Sequence, residues 1–252
     1  MNIIEMIYCF ILGSCIASFV NVVIYRLPRK LNFMSGRSFC PKCHHQLAWF
    51  DLIPLISWVM LKGRCRYCQE RISIRYFIIE FIGGIFAILS FYVYGHSLMS
   101  LLFFMICMCL MTISVIDFDT MMIDDRLILF YLICSCLTSF FIQYSFIERV
   151  VGLIIMSIPM LLLNMIKESF GGADIKLIAV SGILLGGENV VIVMMLAVIL
   201  ASLVCLYLIL LKKRSMKSYI PFAPFISFAV IVVFLFQNEI LNFYLSLFYY
   251  QF

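Results

Sequence analysis

Long apolar segments recur along this chain and are separated by short polar loops. The unbroken apolar runs favour transmembrane helices over the strands of a membrane barrel, which alternate between apolar and polar positions. The pattern therefore predicts an all-α, polytopic integral membrane protein with about eight transmembrane helices. The predicted helices cover 4–25, 77–94, 97–116, 127–144, 149–166, 175–187, 189–211 and 220–236.

Two apolar stretches depart from a simple spanning helix. The segment 175–187 is too short to cross a bilayer alone at about 1.5 Å per residue. We expect it to begin inside the preceding polar segment or to insert only partly. The C-terminal stretch 240–252 is apolar and aromatic, and its composition predicts a position in the membrane interface.

Composition agrees with a lipid environment. Of the 252 residues, 65% are hydrophobic and 12% are charged, whereas soluble domains carry about 25% charged residues. The chain has too little polar surface to cover a water-soluble fold, which excludes an ordinary soluble enzyme and a disordered chain.

Basic residues are concentrated in one loop, which predicts the orientation. The segment 26–75 holds ten of the 18 Lys and Arg residues, and basic residues in short loops mark the cytoplasmic side. We therefore predict a multi-pass protein of the plasma or inner membrane with this loop in the cytoplasm. The segments 117–126 and 167–174 then lie on the same side. Anionic lipid accounts for the basic loop, so no nucleic-acid partner is predicted. A second basic cluster predicted on this side comprises Lys212, Lys213, Arg214 and Lys217.

Four of the eleven cysteines form two Cys-x-x-Cys motifs in the basic loop. Two such motifs at this separation are typical of a tetrahedral four-thiolate zinc site, which is structural because it leaves no open position. A reducing compartment disfavours disulfides; redox or unrelated cysteines are the alternative. His44 and His45 beside the first motif are interpreted as solvated rather than as ligands. The predicted ligands are Cys40, Cys43, Cys65 and Cys68.

The few acidic residues cluster at the ends of predicted helices. Asp124, Asp125 and Glu168 are interpreted as interfacial charges at helix ends. Asp117 and Asp174 are instead interpreted as functional residues. Two predicted spans separate this pair, and two antiparallel spans return the chain to the face it left. The two carboxylates can therefore converge, and ionisable groups at membrane depth are candidates for function.

Two converging carboxylates are suited to acid–base catalysis. They cannot both ionise easily, so they share a proton. One then activates water as a base, and the other polarises a carbonyl or protonates the leaving amine. This chemistry predicts an aspartic protease with Asp117 and Asp174 as the pair. Gly171 and Gly172 beside Asp174 would allow close backbone approach.

Other hydrolytic chemistries lack their residues in this sequence. The chain has three histidines, and it contains no His-Glu-x-x-His motif of a zinc protease. It also lacks a Gly-x-Ser-x-Gly motif and a glycine-rich phosphate loop.

Several motifs together resemble those of the type IV prepilin peptidases (leader peptidases, including the competence pseudopilin peptidases). They occur in the family's order over nearly the whole chain. The matching stretches are 13–28, 40–54, 57–58, 63–80, Ile116-Asp117 with Asp125 eight residues on, Gly171-Gly172-Ala173-Asp174-Ile175-Lys176-Leu177, and Pro221-Phe222-Ala223-Pro224-Phe225.

The resemblance implies an endopeptidase that removes the short basic leader from prepilins or pseudopilins at the cytoplasmic membrane face. The family's two catalytic aspartates correspond to Asp117 and Asp174. Many members also methylate the new N-terminal amine with S-adenosyl-L-methionine, an activity associated with the N-terminal half and its cysteine loop. Residues expected to support the site or to attract the basic leader are Asp119, Asp125, Gly171, Gly172 and Lys176.

The expected organisation has three parts: an N-terminal transmembrane helix over 1–26, a cytoplasmic zinc loop over 27–76, and a transmembrane protease core over 77–252. Two positions depart from the family pattern. Ala173 stands where glycine is usual, which would matter if the backbone there were left-handed. Asp124 stands where proline is usual.

Two other functions remain as alternatives. A membrane transporter could use buried acids as relay groups, although the sequence shows no internal repeat of the kind common in transporters. An inactive scaffold built around the cysteine loop is the second alternative, mildly favoured by Ala173.

Overall fold

The computed structural model describes residues 2–34, 36–166, 170–211 and 220–249. Within these ranges all regular elements are helices and no strand occurs, so the all-α prediction is confirmed. The predictions for Glu168 and for the basic cluster at 212–217 lie outside the described residues. The elements are α1 (Ile3–Arg26), a 3-10 helix (Trp49–Leu52), α2 (Ile56–Met60), α3 (Ile74–Tyr94), α4 (Leu98–Thr120), α5 (Asp125–Thr138), α6 (Phe146–Ile166), α7 (Gly172–Leu210) and α8 (Ala223–Tyr249).

Five of the described helices are long and apolar enough to cross a membrane: α1, α3, α4, α6 and α7. The stretch Ala223–Phe236 of α8 is apolar but shorter. These helices agree with a multi-pass membrane protein, but they do not reach the predicted count of eight.

The predicted segments 175–187 and 189–211 correspond to one helix, α7, with a break at Gly186. Gly186 has φ 80° and ψ 175°, which a residue with a side chain rarely adopts. The buried Arg149 of α6 donates to the carbonyl of Ile183 at 2.9 Å. In a regular helix that carbonyl would accept the N–H of Gly187, so the arginine stabilises the break. The first half begins at Gly172, inside the polar segment, as expected.

Helix α5 ends at Thr138 and is shorter than the predicted 127–144. The chain then turns, with the Ser139 N–H donating to the Cys136 carbonyl at 3.1 Å. Arg149 also donates to the carbonyl of Ile142 at 3.1 Å and so holds this turn. Apolar residues after Thr138 are therefore part of a loop, because a side chain from another helix binds their backbone.

The chain divides into two compact units, 1–108 and 109–252. In the first unit, α1 and α3 approach closely through small residues. A Cβ on Gly13 would lie 2.5 Å from the carbonyl oxygen of Gly83, and a Cβ on Gly83 would overlap the Ala17 side chain. Small residues allow such contact between helices in lipid, where packing replaces the hydrophobic driving force.

In the second unit, α6 and α7 use the same type of contact. A Cβ on either Gly152 or Gly182 would overlap the carbonyl oxygen of the other residue. A buried hydrogen bond of 3.1 Å joins the hydroxyls of Tyr131 in α5 and Ser181 in α7. Helix α7 therefore organises this unit.

We expect Gly182→Ala to destabilise the second unit by about 1–3 kcal/mol, because the added methyl group overpacks the contact between α6 and α7. Thermal unfolding of the purified protein in detergent measures the effect. Gly172→Ala is the matched control, since a Cβ there meets nothing within 4 Å. Equal melting temperatures for the two variants would contradict the close helix contact.

Candidate functional site

Asp117 lies in the last turn of α4 and is buried. The backbone N–H of Ala223, the first residue of α8, donates to its carboxylate. The Oδ2 atom of Asp117 is buried and has no hydrogen-bond partner among the described residues. A buried carboxylate oxygen without a partner is costly for folding and therefore indicates a functional group.

Asp174 is the third residue of α7 and reaches back to the N-cap of that helix. The backbone N–H of the N-cap residue Gly171 donates to the Asp174 carboxylate, in the manner of a capping box. A Cβ on Gly171 would lie 3.1 Å from Oδ2 of Asp174, so glycine leaves room for the carboxylate. Gly172 has no comparable neighbour.

The structure brings Asp117 and Asp174 together, as the spacing of the helices predicts. The two carboxylates lie close enough for the charge of Asp117 to act on Asp174. Like charges at short range disfavour double ionisation, so the pair tends to hold one proton.

A link between two turns positions the carboxylates. The side chain of Asn164 donates to the carbonyl of Phe170 at 2.9 Å and accepts its N–H at 2.9 Å. The Phe170 ring packs 6.1 Å from the ring of Phe222, which precedes Ala223. The turn that carries Gly171 is therefore fixed to the turn that presents the Ala223 N–H.

Sequence reasoning did not identify the roles of Asn164, Phe170 and Ala223. For Ala223 a signal exists, because Pro221 and Pro224 flank it. Proline is common in the first turn of a helix, where the backbone N–H groups have no partner within the helix. Asn164 and Phe170 gave no comparable signal.

The other predicted acidic residues lie at the ends of α4 and α5. Lys176 donates to Asp125 at 2.6 Å, and both side chains are exposed. Asp124 is the N-cap of α5 and accepts the N–H of Arg126 at 2.8 Å, which agrees with a charge at a helix end. Asp119 is exposed near the end of α4.

Ala173 lies in the first turn of α7 and does not have a positive φ. Its backbone is right-handed, where alanine is favoured over glycine. The departure from the family pattern at this position therefore causes no backbone strain.

The four predicted cysteine ligands form a cluster in the first unit. Their sulfur atoms all lie within 4.8 Å of one another, and Sγ of Cys40 is 3.9 Å from Sγ of Cys68. Four sulfurs at about 2.3 Å from a central zinc ion would be about 3.8 Å apart. The cluster therefore fits a tetrahedral zinc ion, with no fourth position open to substrate.

The two cysteine motifs have the same local structure. In each, the first cysteine forms two backbone hydrogen bonds that close a tight turn, and the residue after the second cysteine has a positive φ. Those residues are His44 at 58° and Gln69 at 59°. The bonds are Cys40 N–H to His45 O (3.0 Å), His44 N–H to Cys40 O (2.8 Å), Cys65 N–H to Glu70 O (2.8 Å) and Gln69 N–H to Cys65 O (2.9 Å).

The environment of Cys40 favours the thiolate, the form that binds metal. Burial alone would raise the pKa of its thiol. Hydrogen bonds from the backbone of Cys43 and Lys42 and from the thiols of Cys43 and Cys65 outweigh burial and lower the pKa of Cys40 to about 7.

Asp51 binds the second cysteine motif, and a ring contact links that motif to the first. The Asp51 carboxylate accepts hydrogen bonds from Arg66 Nε at 2.8 Å and Tyr67 Oη at 3.1 Å, both within the second motif. Burial opposes ionisation, but the bonds from Arg66, the Ala48 N–H and Tyr67 hold the pKa of Asp51 below its usual value. The Tyr67 ring packs 3.6 Å from the ring of His45 beside the first motif. Among the described residues, neither His44 nor His45 belongs to the ligand cluster.

Two protein-family models match the chain. The model of the bacterial peptidase A24 N-terminal domain matches residues 11–94, and the model of the type IV leader peptidase family matches residues 102–210. No solved structure matches the chain.

Curated relatives cover almost the whole chain. A prepilin leader peptidase/N-methyltransferase of Vibrio cholerae serotype O1 is 31% identical over 93% of this chain and 98% of its own length. One of the same name from Aeromonas salmonicida (strain A449) is 29% identical, over 94% of this chain and 92% of its own. A third, from Myxococcus xanthus (strain DK1622), is 47% identical over 31% of this chain and 24% of its own. With the two carboxylates in place, these matches show that the chain belongs to the type IV leader peptidase family.

Proposed function

We propose that this chain is a membrane endopeptidase that removes the basic leader from prepilins or pseudopilins, with Asp117 and Asp174 as its catalytic pair. The observation that supports this role is the interacting pair of carboxylates, each bound by a backbone N–H at a helix N-terminus. The names of the curated relatives support the substrate class. They give no support to the transporter alternative, and the intact pair argues against an inactive scaffold.

The geometry suggests how the pair acts. Each carboxylate keeps one backbone donor, from Ala223 or from Gly171, which fixes its orientation without adding a full charge. The unpartnered Oδ2 of Asp117 is free to bind a reacting group. The ionised carboxylate removes a proton from water as it attacks the scissile carbonyl. The protonated carboxyl donates to the carbonyl oxygen and then to the leaving amine.

The orientation follows from the basic loop and remains a proposal. The ten Arg and Lys residues over 26–75 support a cytoplasmic position for that loop, and helix count then predicts the same side for the ends of α4 and α7 that carry Asp117 and Asp174. The pair then meets the leader at the cytoplasmic face of the plasma or inner membrane. The three-part division at 26 and 76 likewise remains a prediction. A membrane-impermeant thiol reagent tests the orientation: it should label a Gln46→Cys variant, at an exposed position of the loop, only in inside-out vesicles.

We expect Asp117→Asn and Asp174→Asn each to slow leader cleavage by about 10²–10⁴-fold, because each removes an acid–base group. Co-expression with a candidate prepilin and mass measurement of the product gives the readout. Asp124→Asn is the matched control, since asparagine is an equally good N-cap. Near-normal turnover by either variant of the pair, with the protein still in the membrane, would refute the two-aspartate mechanism.

We also propose that the four-cysteine cluster holds one structural zinc ion. Cys40, Cys43, Cys65 and Cys68 would supply all four ligands, and the ion would stabilise a loop that has little core of its own. It takes no part in the acid–base chemistry, since the ligand set leaves no open position.

Purified protein is expected to contain about one zinc ion per chain, and Cys65→Ser to reduce this content strongly, since it removes a buried ligand. Elemental analysis by mass spectrometry measures the content. Cys15→Ser is the control, because Cys15 is an exposed cysteine on α1. A Cys65→Ser protein with an undiminished zinc content would show that the cluster is not the metal site.

Methylation of the new N-terminal amine with S-adenosyl-L-methionine is the second proposed activity. It is supported by the N-methyltransferase names of the relatives and by the matched N-terminal domain. The mass of the product from co-expression with a candidate prepilin tests this activity. A processed product without the added mass of one methyl group would exclude the activity for that substrate.

Charged residues around the catalytic pair are proposed to bind the basic leader. Asp119 and Asp125 are exposed at the ends of α4 and α5, and Lys176 holds Asp125 in place. Gly171 and Gly172 leave the approach to Asp174 open. We expect Asp119→Asn and Asp125→Asn to raise KM for basic leaders several-fold with little change in kcat, since they remove steering charge. A leader with neutral residues is the control, and an unchanged KM would exclude this role.

A further inference from the structure

The segment 49–61 of the cysteine-rich loop is unusually apolar. Asp51 is its only ionisable residue, and Asp51 is bound by Arg66 and Tyr67. Apolar stretches of about 10–14 residues are too short to span a bilayer but suit a re-entrant or interfacial segment. The segment contains the 3-10 helix Trp49–Leu52 and the short helix α2.

A carboxylate inside a membrane span fixes the turn of this segment. The backbone N–H of Leu55, the N-cap of α2, donates to Glu80 Oε2 at 2.9 Å. Glu80 also binds the hydroxyl of Ser18 on α1. Glu80 lies six residues into α3, on the order of 9 Å from the start of that helix. The turn at Leu55, with φ 61°, is therefore held at the depth of a residue within the spanning part of α3.

The spans also provide the surface on which the segment packs. Phe10 of α1 and Phe77 and Phe81 of α3 line a groove together with apolar side chains of α2. The ring of Trp58 packs 5.3 Å from that of Phe77. The groove is continuous with the apolar surfaces of two helices that are long enough to span the membrane.

The α2 side chains that line this groove are large and apolar, and they remain largely exposed. Ile56, Val59 and Met60 are 56%, 57% and 76% exposed. The backbone groups are largely paired, as lipid requires of any inserted segment. The N–H of Leu55 donates to Glu80. Six further N–H groups donate to carbonyls within the segment, those of Ile56, Ser57, Val59, Leu61, Lys62 and Gly63.

We propose that 53–61 is a re-entrant segment that inserts into the acyl-chain region of the lipid bilayer beside α1 and α3, with Glu80 as its anchor. The exposed side chains of α2 then contact lipid, as the outward surfaces of the spans do. Lys62 and Arg64 follow the segment at once and are placed to bind anionic headgroups as the chain leaves the membrane. The cysteine cluster is thereby tied to the membrane.

The two tryptophans of the chain, Trp49 and Trp58, allow a direct test. A Trp49→Phe, Trp58→Phe protein that also carries Met60→Trp has one reporter at the tip of α2. The full chain is reconstituted into vesicles of phosphatidylcholine and phosphatidylglycerol, with or without bromine on the acyl chains. Brominated chains should quench the reporter about twofold or more if it lies in the acyl-chain region, whereas aqueous acrylamide should quench it weakly. The control is a Trp49→Phe, Trp58→Phe protein that carries Gln46→Trp in place of Met60→Trp, with its reporter at an exposed position of the loop. Acrylamide should quench this control strongly and brominated chains should quench it weakly.

Two results would overturn the proposal. Strong acrylamide quenching with no effect of bromine would place α2 in water. Protection from both quenchers would show that protein, such as a second copy of the chain, covers α2. The unaltered protein provides an independent measurement: a photoactivatable phosphatidylcholine with its reactive group on the acyl chain should label 53–61 and not 40–47. Labelling of 40–47 alone would also refute insertion.

The anchor is tested with the same reporter. Glu80→Ala removes the acceptor of the Leu55 N–H, so acrylamide quenching of the reporter should rise several-fold. Glu80→Gln retains an acceptor oxygen and should leave the quenching near its original value. Equal quenching in both variants would show that Glu80 does not hold the segment.

Discussion

Three carboxylates on the described long apolar helices must be satisfied without a full positive charge beside them. Asp117, Asp174 and Glu80 solve the problem in the same way, since each accepts the backbone N–H of a residue that begins or caps a helix. Helix N-termini carry unpaired N–H groups and a partial positive charge. They therefore stabilise a carboxylate in an apolar medium while leaving it able to accept a proton.

This constraint explains why the site is built from turns. Asp174 must be three residues after its N-cap to reach the Gly171 N–H, and Asp117 requires the first residue of α8. The pairing of Asn164 with Phe170 and the packing of Phe170 on Phe222 hold those two turns together. A change at these residues would alter the position of the carboxylates without touching either one.

The first unit uses the same interaction for a different purpose. Glu80 joins α1, α3 and the turn at Leu55, whereas Asp51 binds Arg66 and Tyr67 of the second cysteine motif. Two carboxylates thus help to organise the cysteine-rich loop, one in the span and one beside the metal ligands. Zinc bound at the cluster would stabilise the loop further, in addition to the contacts of Glu80 and Asp51, because the loop otherwise has few buried residues.

The sequence by itself determined the all-α membrane class and the four-cysteine cluster, and it singled out Asp117 and Asp174 as the proposed catalytic pair. Long apolar runs, repeated cysteine spacing and scarce charge are local or compositional properties. Only the tertiary structure decided the end of α5 at Thr138 and the single broken helix α7, because Arg149 binds carbonyls of two other elements. The hydrogen-bond donors to these carboxylates could not be predicted from the sequence either, since every residue except proline has a backbone N–H. Which one is free and near a buried acid depends on where helices begin and how they pack.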